Sequence, residues 1–304
     1  MGRAPIVPSP LALVVALSAL AASLVSPRAL AQHAPLPPSL VALDSLEGQR
    51  LFTEAEARAD FFALSEQYVT QKSGNFCGVA SGVMVLNALQ VTAPIASEVG
   101  SPFFTQENFW NEQARGVLSP TIMPGMTIDQ LADLLRCHPA TARVVHAADT
   151  TLADFRALAA KNLATPGDYI IVNYDRAGVG QETMGHISPL AAYDAKADKL
   201  LLLDVARYKY PPVWVDTAAL FAAMNTNDFV SAKTRGFIVV AAASSAPGPS
   251  GARPARNMKA IAAGIFTGVL LLGIAIGAGV QTFRLKRRFR AIRAAKADHT
   301  SASG

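Results

Sequence analysis

Four residues in this chain have the types and spacing for nucleophilic chemistry: Gln71, Cys77, His186 and Asp204. Cys77 stands in residues 71–89, QKSGNFCGVASGVMVLNAL, where the turn formers Ser73, Gly74 and Asn75 give way to an apolar run. Val79, Val83, Leu86 and Leu89 fall at helical spacing, which predicts a helix with Cys77 in its first turn. Unpaired N–H groups and the positive end of the helix dipole favour a thiolate there, the state in which sulfur is a nucleophile. The competing readings are a small core residue or half of a Cys77–Cys137 disulfide, since the chain holds only these two cysteines.

A nucleophilic cysteine needs a base within hydrogen-bond reach and a group that orients the base. Between the N-terminal tether and the C-terminal apolar stretch the histidines are His138, His146 and His186. His186 follows the small Gly185 and opens a strand that runs to Tyr193. A polar turn over 194–198 and a returning run to Val205 complete a hairpin. Folding about residue 196 brings His186 beside residues 204–206, where Asp204 closes the run Leu200 to Leu203. A carboxylate buried there needs a partner, and an imidazole supplies one while its own tautomer and proton affinity are set in return. An aspartate bonded to a turn amide beside an ordinary core histidine is the alternative. Gln71, six residues before Cys77, puts a side-chain amide where it can join the Cys77 backbone N–H in holding an oxyanion.

The elements that must carry these groups change character along the chain. Residues 45–71 form a helix-like window with Phe61, Phe62 and Leu64 as apolar anchors. Residues 91–126, with four prolines and Phe103, Phe104, Phe109 and Trp110, read as short helices and packed loops. Thr127 and Gln130 stand at capping-box spacing before Leu131, Leu134 and Leu135, which predicts a capped helix over 127–137. After a helix over 152–161 come strands at 169–173, 186–193, 199–205 and 236–241. Helices followed by strands predict an α+β domain over 45–242, without an internal repeat.

The ends read differently. About half of the 304 residues are hydrophobic and 16% are charged, which excludes a disordered chain and points to a packed domain plus membrane sequence. Residues 1–31 carry Arg3, an apolar run and an Ala29-Leu30-Ala31 site, the pattern of a secretory signal peptide, with an uncleaved anchor as the alternative. A proline-rich tether follows at 32–44. Residues 243–258 are a Ser/Pro/Gly/Arg linker, 259–281 a transmembrane helix with an uncharged stretch at 260–280, and 282–304 a basic cytoplasmic tail. This order places the domain outside the cytoplasm, periplasmic or extracytoplasmic, on a single-pass cell-membrane anchor. Gly264/Gly268 and Gly273/Gly277 offer homodimer contacts, although at about 100° per residue the two pairs face opposite ways. Residues 281–304 hold seven Lys/Arg and one Asp, so the formal net charge of +5 belongs to the tail and implies no nucleic-acid partner. Two cysteines and scattered histidines lack metal-ligand spacing.

Five segments, SGNFCGVASGVMVLNAL, MTIDQL, GHISPLAAYD, LLLDVARYKYPPVWV and MNTNDFVSAKTRGF, resemble the catalytic domain of phytochelatin synthases, members of the papain-like cysteine peptidase clan. The likeness covers most of 45–242. It implies a papain-like fold, with a helical N-terminal part and an antiparallel C-terminal sheet, and a Cys77, His186, Asp204 triad with Gln71 in the oxyanion hole. It also implies attack on the Cys–Gly bond of glutathione, release of glycine and a γ-glutamylcysteinyl thioester. Water hydrolyses that thioester, or the amine of a second glutathione takes the acyl group to extend a phytochelatin. By the same resemblance Asp228 and Arg235 match positions that hold the γ-glutamyl amino and carboxylate groups. Asn173, Arg176, Arg207 and Tyr210 are assigned to the acceptor or glycine side and Gly185 to the substrate site; for the first four, as for Asp228 and Arg235, an ordinary surface ion pair or loop contact is the alternative. The cysteine-rich C-terminal domain of the eukaryotic synthases is missing here, and compact forms lean toward hydrolysis. The expected order is therefore hydrolase first and transpeptidase second, with non-catalytic capture of metal–glutathione complexes as a reading of another class. No tightly bound cofactor is expected; cadmium or zinc would enter as glutathione thiolate complexes.

Overall fold

A seven-stranded antiparallel sheet drawn mostly from the second half of the chain divides the core of the computed structural model, which describes residues 33–120 and 125–243. The expected signal peptide, transmembrane helix and basic tail lie outside the described residues. Among those described, no helix is long and apolar enough to cross a membrane.

In chain order the elements are β1 (Val41–Ala42), α1 (Leu46–Glu54), α2 (Ala59–Glu66), α3 (Cys77–Ala88), β2 (Ile95–Ala96), β3 (Ser101–Pro102), α4 (Glu112–Val117), α5 (Ile128–Arg136) and β4 (Ala140–His146). They continue with α6 (Leu152–Leu163), β5 (Asp168–Asp175), β6 (Gly185–Asp194), β7 (Lys199–Leu202), β8 (Val213–Asp216), α7 (Thr217–Met224), β9 (Asn227–Asp228), β10 (Lys233–Thr234) and β11 (Gly236–Ala242). The sheet order is β1-β8-β7-β6-β5-β11-β4. Helices thus come first and strands second, giving the expected α+β class.

Each face of the sheet is covered. Residues from α3 and α5 pack with Ile187, Leu201 and Ile238 on one side, while residues from α6 and α7 pack with Val172, Leu202 and Phe237 on the other. With both faces covered, β6 is buried at every position from His186 to Asp194. α3 is buried from Cys77 through Leu86, so it is a core helix and not an amphipathic one. Ser81 ties it to the sheet, its Oγ donating to the Ile187 carbonyl at 3.1 Å. At Gly78 a Cβ would collide with Met126 Sδ, so a side chain there would push away one wall of the helix's N-terminus.

Several elements depart from the sequence expectation. The window 45–71 splits into α1 and α2, because the intervening Ala57 bridges to Tyr193 of β6. β4 and β8 were not expected. β4 alternates small buried alanines with exposed Thr141 and Arg143, a pattern with little hydropathic contrast. The strand expected over 199–205 ends at Leu202, leaving Asp204 in the following turn. Residues 33–40, expected as a tether, lie along residues 207–212: the Ala34 N–H donates to the Lys209 carbonyl at 2.8 Å and Leu40 is buried. The capping box of Thr127 and Gln130 is present as expected.

Candidate active site

Cys77 is the first residue of α3, and its N-cap, Phe76, offers no side-chain acceptor. The amides of the first turn therefore point outward without intrahelical partners. The thiol is buried and hydrogen-bonded to His186, a residue from the start of β6. Burial pushes this thiol up, but the hydrogen bond and charge of His186 outweigh it and bring Cys77 below its ordinary value.

His186 Nε2 lies 2.8 Å from Asp204 Oδ1 and 3.0 Å from Ser188 Oγ, leaving Nδ1 as the nitrogen for Cys77. Burial lowers the imidazole, yet Asp204 and Cys77 together raise it above the usual histidine range. Asp204 has no exposed surface. Burial pushes its carboxyl up, whereas His186 and Arg176 hold it well below the usual carboxylate range. The Ala206 N–H donates to the same oxygen at 2.8 Å. Arg176 Nη2 donates to Oδ1 at 2.9 Å, and Nη1 lies 2.7 Å from Oδ2, off the hydrogen-bond axis.

The juxtaposition of His186 and Asp204 depends on one extra residue. β6 and β7 pair Asp194 with Lys199, Tyr193 with Leu200 and Ala192 with Leu201, but beyond that Leu190 pairs with Leu202. Ala191 is the bulged residue, and the Leu203 N–H then donates to the Pro189 carbonyl at 3.1 Å. Carried onward, the shifted register sets Asp204 opposite Ser188, on the same face as His186. Without the bulge it would oppose Pro189 and face the other side. The Val205 N–H donates to Ser188 Oγ at 3.2 Å, in keeping with that register.

The loop before Cys77 is stitched to the Asp204 turn. Tyr68 Oη donates to the Asp204 carbonyl at 2.5 Å, and the Gln71 N–H donates to the Val205 carbonyl at 2.9 Å. The Gln71 side chain is buried, with Nε2 donating to the Ser73 carbonyl at 2.7 Å and to Tyr208 Oη at 3.2 Å.

Cys77 and His186 open on a cleft of about 520 Å³ that is also lined by Asn173, Gly185, Asp228 and Arg235. Arg235 precedes β11 and is buried; its Nη1 donates to Thr226 Oγ1 at 2.9 Å and to the Asn227 carbonyl at 2.7 Å. Its Nε has no partner, and among the described residues no carboxylate pairs with it. A buried cation facing a cleft without a counter-ion is a site for an anionic group. A Cβ on Gly185 would stand 3.3 Å from Arg235 Nη2, so glycine there leaves the guanidinium its room.

The family model described as phytochelatin synthase matches residues 31–237. This chain belongs to the phytochelatin synthase family. It is 36% identical over 219 residues to glutathione gamma-glutamylcysteinyltransferase 1 of Triticum aestivum, a match covering 70% of this chain and 42% of that protein. The enzyme of the same name from Arabidopsis thaliana is 31% identical over 220 residues, covering 70% and 44%. Glutathione gamma-glutamylcysteinyltransferase of Schizosaccharomyces pombe is 29% identical over 208 residues, covering 67% and 50%. The chain thus spans about half the length of these relatives or less.

Within this family member the residues singled out from sequence fall into two groups. Asn173, Gly185, Asp228 and Arg235 share the cleft with Cys77 and His186, whereas Gln71, Arg176, Arg207 and Tyr210 do not line it. Arg176 sits behind Asp204, with its guanidinium carbon 4.9 Å from the Tyr210 ring centroid. Arg207 lies over the Tyr68 ring at 4.5 Å, in a separate groove. The other two histidines are engaged elsewhere, His138 Nε2 with the Phe109 carbonyl and His146 with the Thr234 carbonyl and Asp129. Both cysteines are free, so the disulfide alternative falls; Cys137 Sγ donates to the Asp133 carbonyl at 3.3 Å. Ser188 was missed in the sequence, although its place two residues beyond His186 on one strand puts both on one face. Among the described residues no three His, Cys, Asp or Glu side chains are grouped to hold a metal ion.

Proposed function

We propose that this chain is a papain-like cysteine acyl-enzyme that cleaves glutathione at its Cys–Gly bond. One observation carries the reading: a thiol at a helix N-terminus, bonded to an imidazole held by a buried carboxylate, opens on the same cleft as the uncompensated cation of Arg235. The Cys77 thiolate attacks the carbonyl carbon of the Cys–Gly bond. The oxyanion takes a hydrogen bond from the Cys77 N–H, joined by the Gln71 amide once it turns from Ser73. His186, as imidazolium, gives its proton to the glycine nitrogen; the C–N bond breaks and glycine leaves a γ-glutamylcysteinyl thioester on sulfur. His186 then takes a proton from water, whose attack releases γ-glutamylcysteine and restores the thiolate. Arg235 receives the γ-glutamyl carboxylate and Asp228 its ammonium group, as their charges and shared cleft support.

Hydrolysis is the main outcome in this reading. The names of the relatives favour a second one, in which the amine of another glutathione takes the acyl group and a phytochelatin grows. No resident cofactor takes part; a soft metal ion enters with substrate as a glutathione thiolate complex. The segments at 1–31 and 260–280 support an exported domain held on the membrane by a single helix. Protease treatment of cells whose outer envelope has been opened but whose inner membrane is intact, against fully lysed cells, tests that placement: digestion only after full lysis would refute it.

Incubating the detergent-solubilised chain with reduced glutathione should release glycine and leave a mass increase of one γ-glutamylcysteinyl group on the Cys77 peptide. Cys77→Ala should abolish both. Glycine release surviving that substitution would remove the nucleophile, and binding without turnover in the parent would leave only a capture module. Longer γ-glutamylcysteine oligomers, sought with and without cadmium, would shift the balance to transfer.

A further inference from the structure

Behind the reacting pair lies a residue that the acyl-enzyme scheme leaves unused. Arg176 belongs to the turn Arg176–Val179 that follows β5, and it is 1% exposed, although arginine is almost never fully buried unless paired. Its guanidinium donates to Asp204 Oδ1, lies within ion-pair distance of Oδ2, also donates to Gln181 Oε1 and lies against the Tyr210 ring. Its backbone N–H donates to the Met184 carbonyl and its carbonyl accepts from the Gln181 N–H, so the turn itself is pinned. No part of it lines the cleft.

We propose that Arg176 is a positioning residue for this reaction: it aims the Asp204 carboxylate at His186 and supplies the buried positive charge that allows Cys77 to remain a thiolate. The inference rests on the acyl-enzyme reading above. In the reactive state Arg176 and His186 carry positive charge, Asp204 and Cys77 negative charge, and the four buried groups sum to zero. Removing Arg176 at the same proton count leaves one net negative charge without water to solvate it. The cluster then binds an extra proton, and the sulfur gives up its anionic form first. The surrounding ionisable groups do not replace that charge. Tyr68 and Tyr174 are held neutral by burial, Tyr210 contributes a ring face, and Arg207 is occupied with Tyr68. Asp175 accepts from the Ala177 N–H, and Lys209 pairs with Glu182 at 2.5 Å on the outside.

The test reads Cys77 without substrate. Alkylation by iodoacetamide, followed as mass gain on the Cys77 peptide across pH, reports the thiolate whether or not glutathione is turned over. Arg176→Gln should move the whole profile upward by on the order of one pH unit. In glycine release it should lower kcat by roughly tenfold to a hundredfold with KM little changed. Arg176→Lys should return the profile to the parent's position while recovering kcat only in part, because an ammonium cannot reproduce the planar fork that bonds Asp204 Oδ1 and Gln181 Oε1 together. Added to Asp204→Asn, Arg176→Gln should cost nothing further, since its effect runs through that carboxylate. An Arg176→Gln profile superimposed on the parent's would overturn the proposal. So would a raised KM at unchanged kcat, or a full additional loss in the Asp204→Asn background. If Arg176→Gln does not fold, Arg176→Lys decides alone: a profile displaced from the parent's, or an unchanged kcat, overturns the proposal.

Discussion

The back and front walls around His186 each bury an arginine, and the two meet opposite fates. Arg176, behind the imidazole, has its charge met by Asp204 at two points. Arg235, in front, is held by neutral oxygens of Thr226 and Asn227 and has no carboxylate partner among the described residues. A charge that the protein neutralises itself organises the machinery, whereas a charge left open to a cleft awaits a ligand. α2 adds a third solution. Asp60 is buried with neither oxygen partnered, and burial, followed by the charge of Asp168, pushes its carboxyl up to about 8. Lacking a partner, that group keeps its proton and gives up its charge.

The severest way to break the comparison is to remove the sulfur that both walls serve. Cys77→Ala should lower glycine release by more than about a thousandfold while the thermal midpoint stays near the parent's. Retained turnover would show that neither wall flanks a nucleophile.

The two arginines should then separate in thermal unfolding and kinetics. Arg176→Met strands the Asp204 carboxylate and should cost about 3–5 kcal/mol of stability. Arg235→Gln strands nothing and should leave stability unchanged or improved. It should raise KM for glutathione by roughly ten- to a hundredfold, the value of a charge-assisted hydrogen bond of about 1.5–3 kcal/mol. Equal destabilisation by the two substitutions would erase the distinction.

Asp60 sharpens the comparison through pH. An unfolded aspartate ionises near pH 4, so between about 4 and 8 the unfolded chain sheds a proton that the folded chain keeps. This group's contribution to stability is thus fully present below about pH 4 and is lost as pH rises through 8. Asp204 has the opposite sign: its depressed folded value contributes stability above the unfolded carboxylate range that is lost in acid. Asp60→Asn should flatten the decline between pH 4 and pH 8 by at most about 5 kcal/mol, because a one-proton difference between folded and unfolded chains is worth about 1.4 kcal/mol for each pH unit crossed. An unchanged slope in denaturant titrations at the two pH values would reassign that decline to another group.

The smallest effect is steric. Gly185→Ala sets a methyl 3.3 Å from Arg235 Nη2, and the guanidinium must give by a few tenths of an ångström. KM should rise by about twofold to fivefold, roughly 0.4–1 kcal/mol, with kcat unchanged. A fall in kcat would mean that the methyl disturbs His186 instead.

What the chain makes legible follows from how local each signal is. Turn formers before a helical run mark Cys77 as a helix-start residue, because residues within a few positions decide helix initiation. The apolar runs about residue 196 likewise mark His186 and Asp204 as hairpin neighbours. β4 escaped notice because its alanines become core only against the helices that cover them.

By itself, then, the sequence determined the α+β order, the helix that carries Cys77 and the pairing of His186 with the Asp204 turn. Only the tertiary structure decided which face Asp204 takes, through the bulge at Ala191, and which arginine faces protein and which faces cleft. The reason is physical. Helix starts and hairpins are set by neighbours along the chain, but strand parity and the partner of a buried charge depend on packing between segments far apart in sequence.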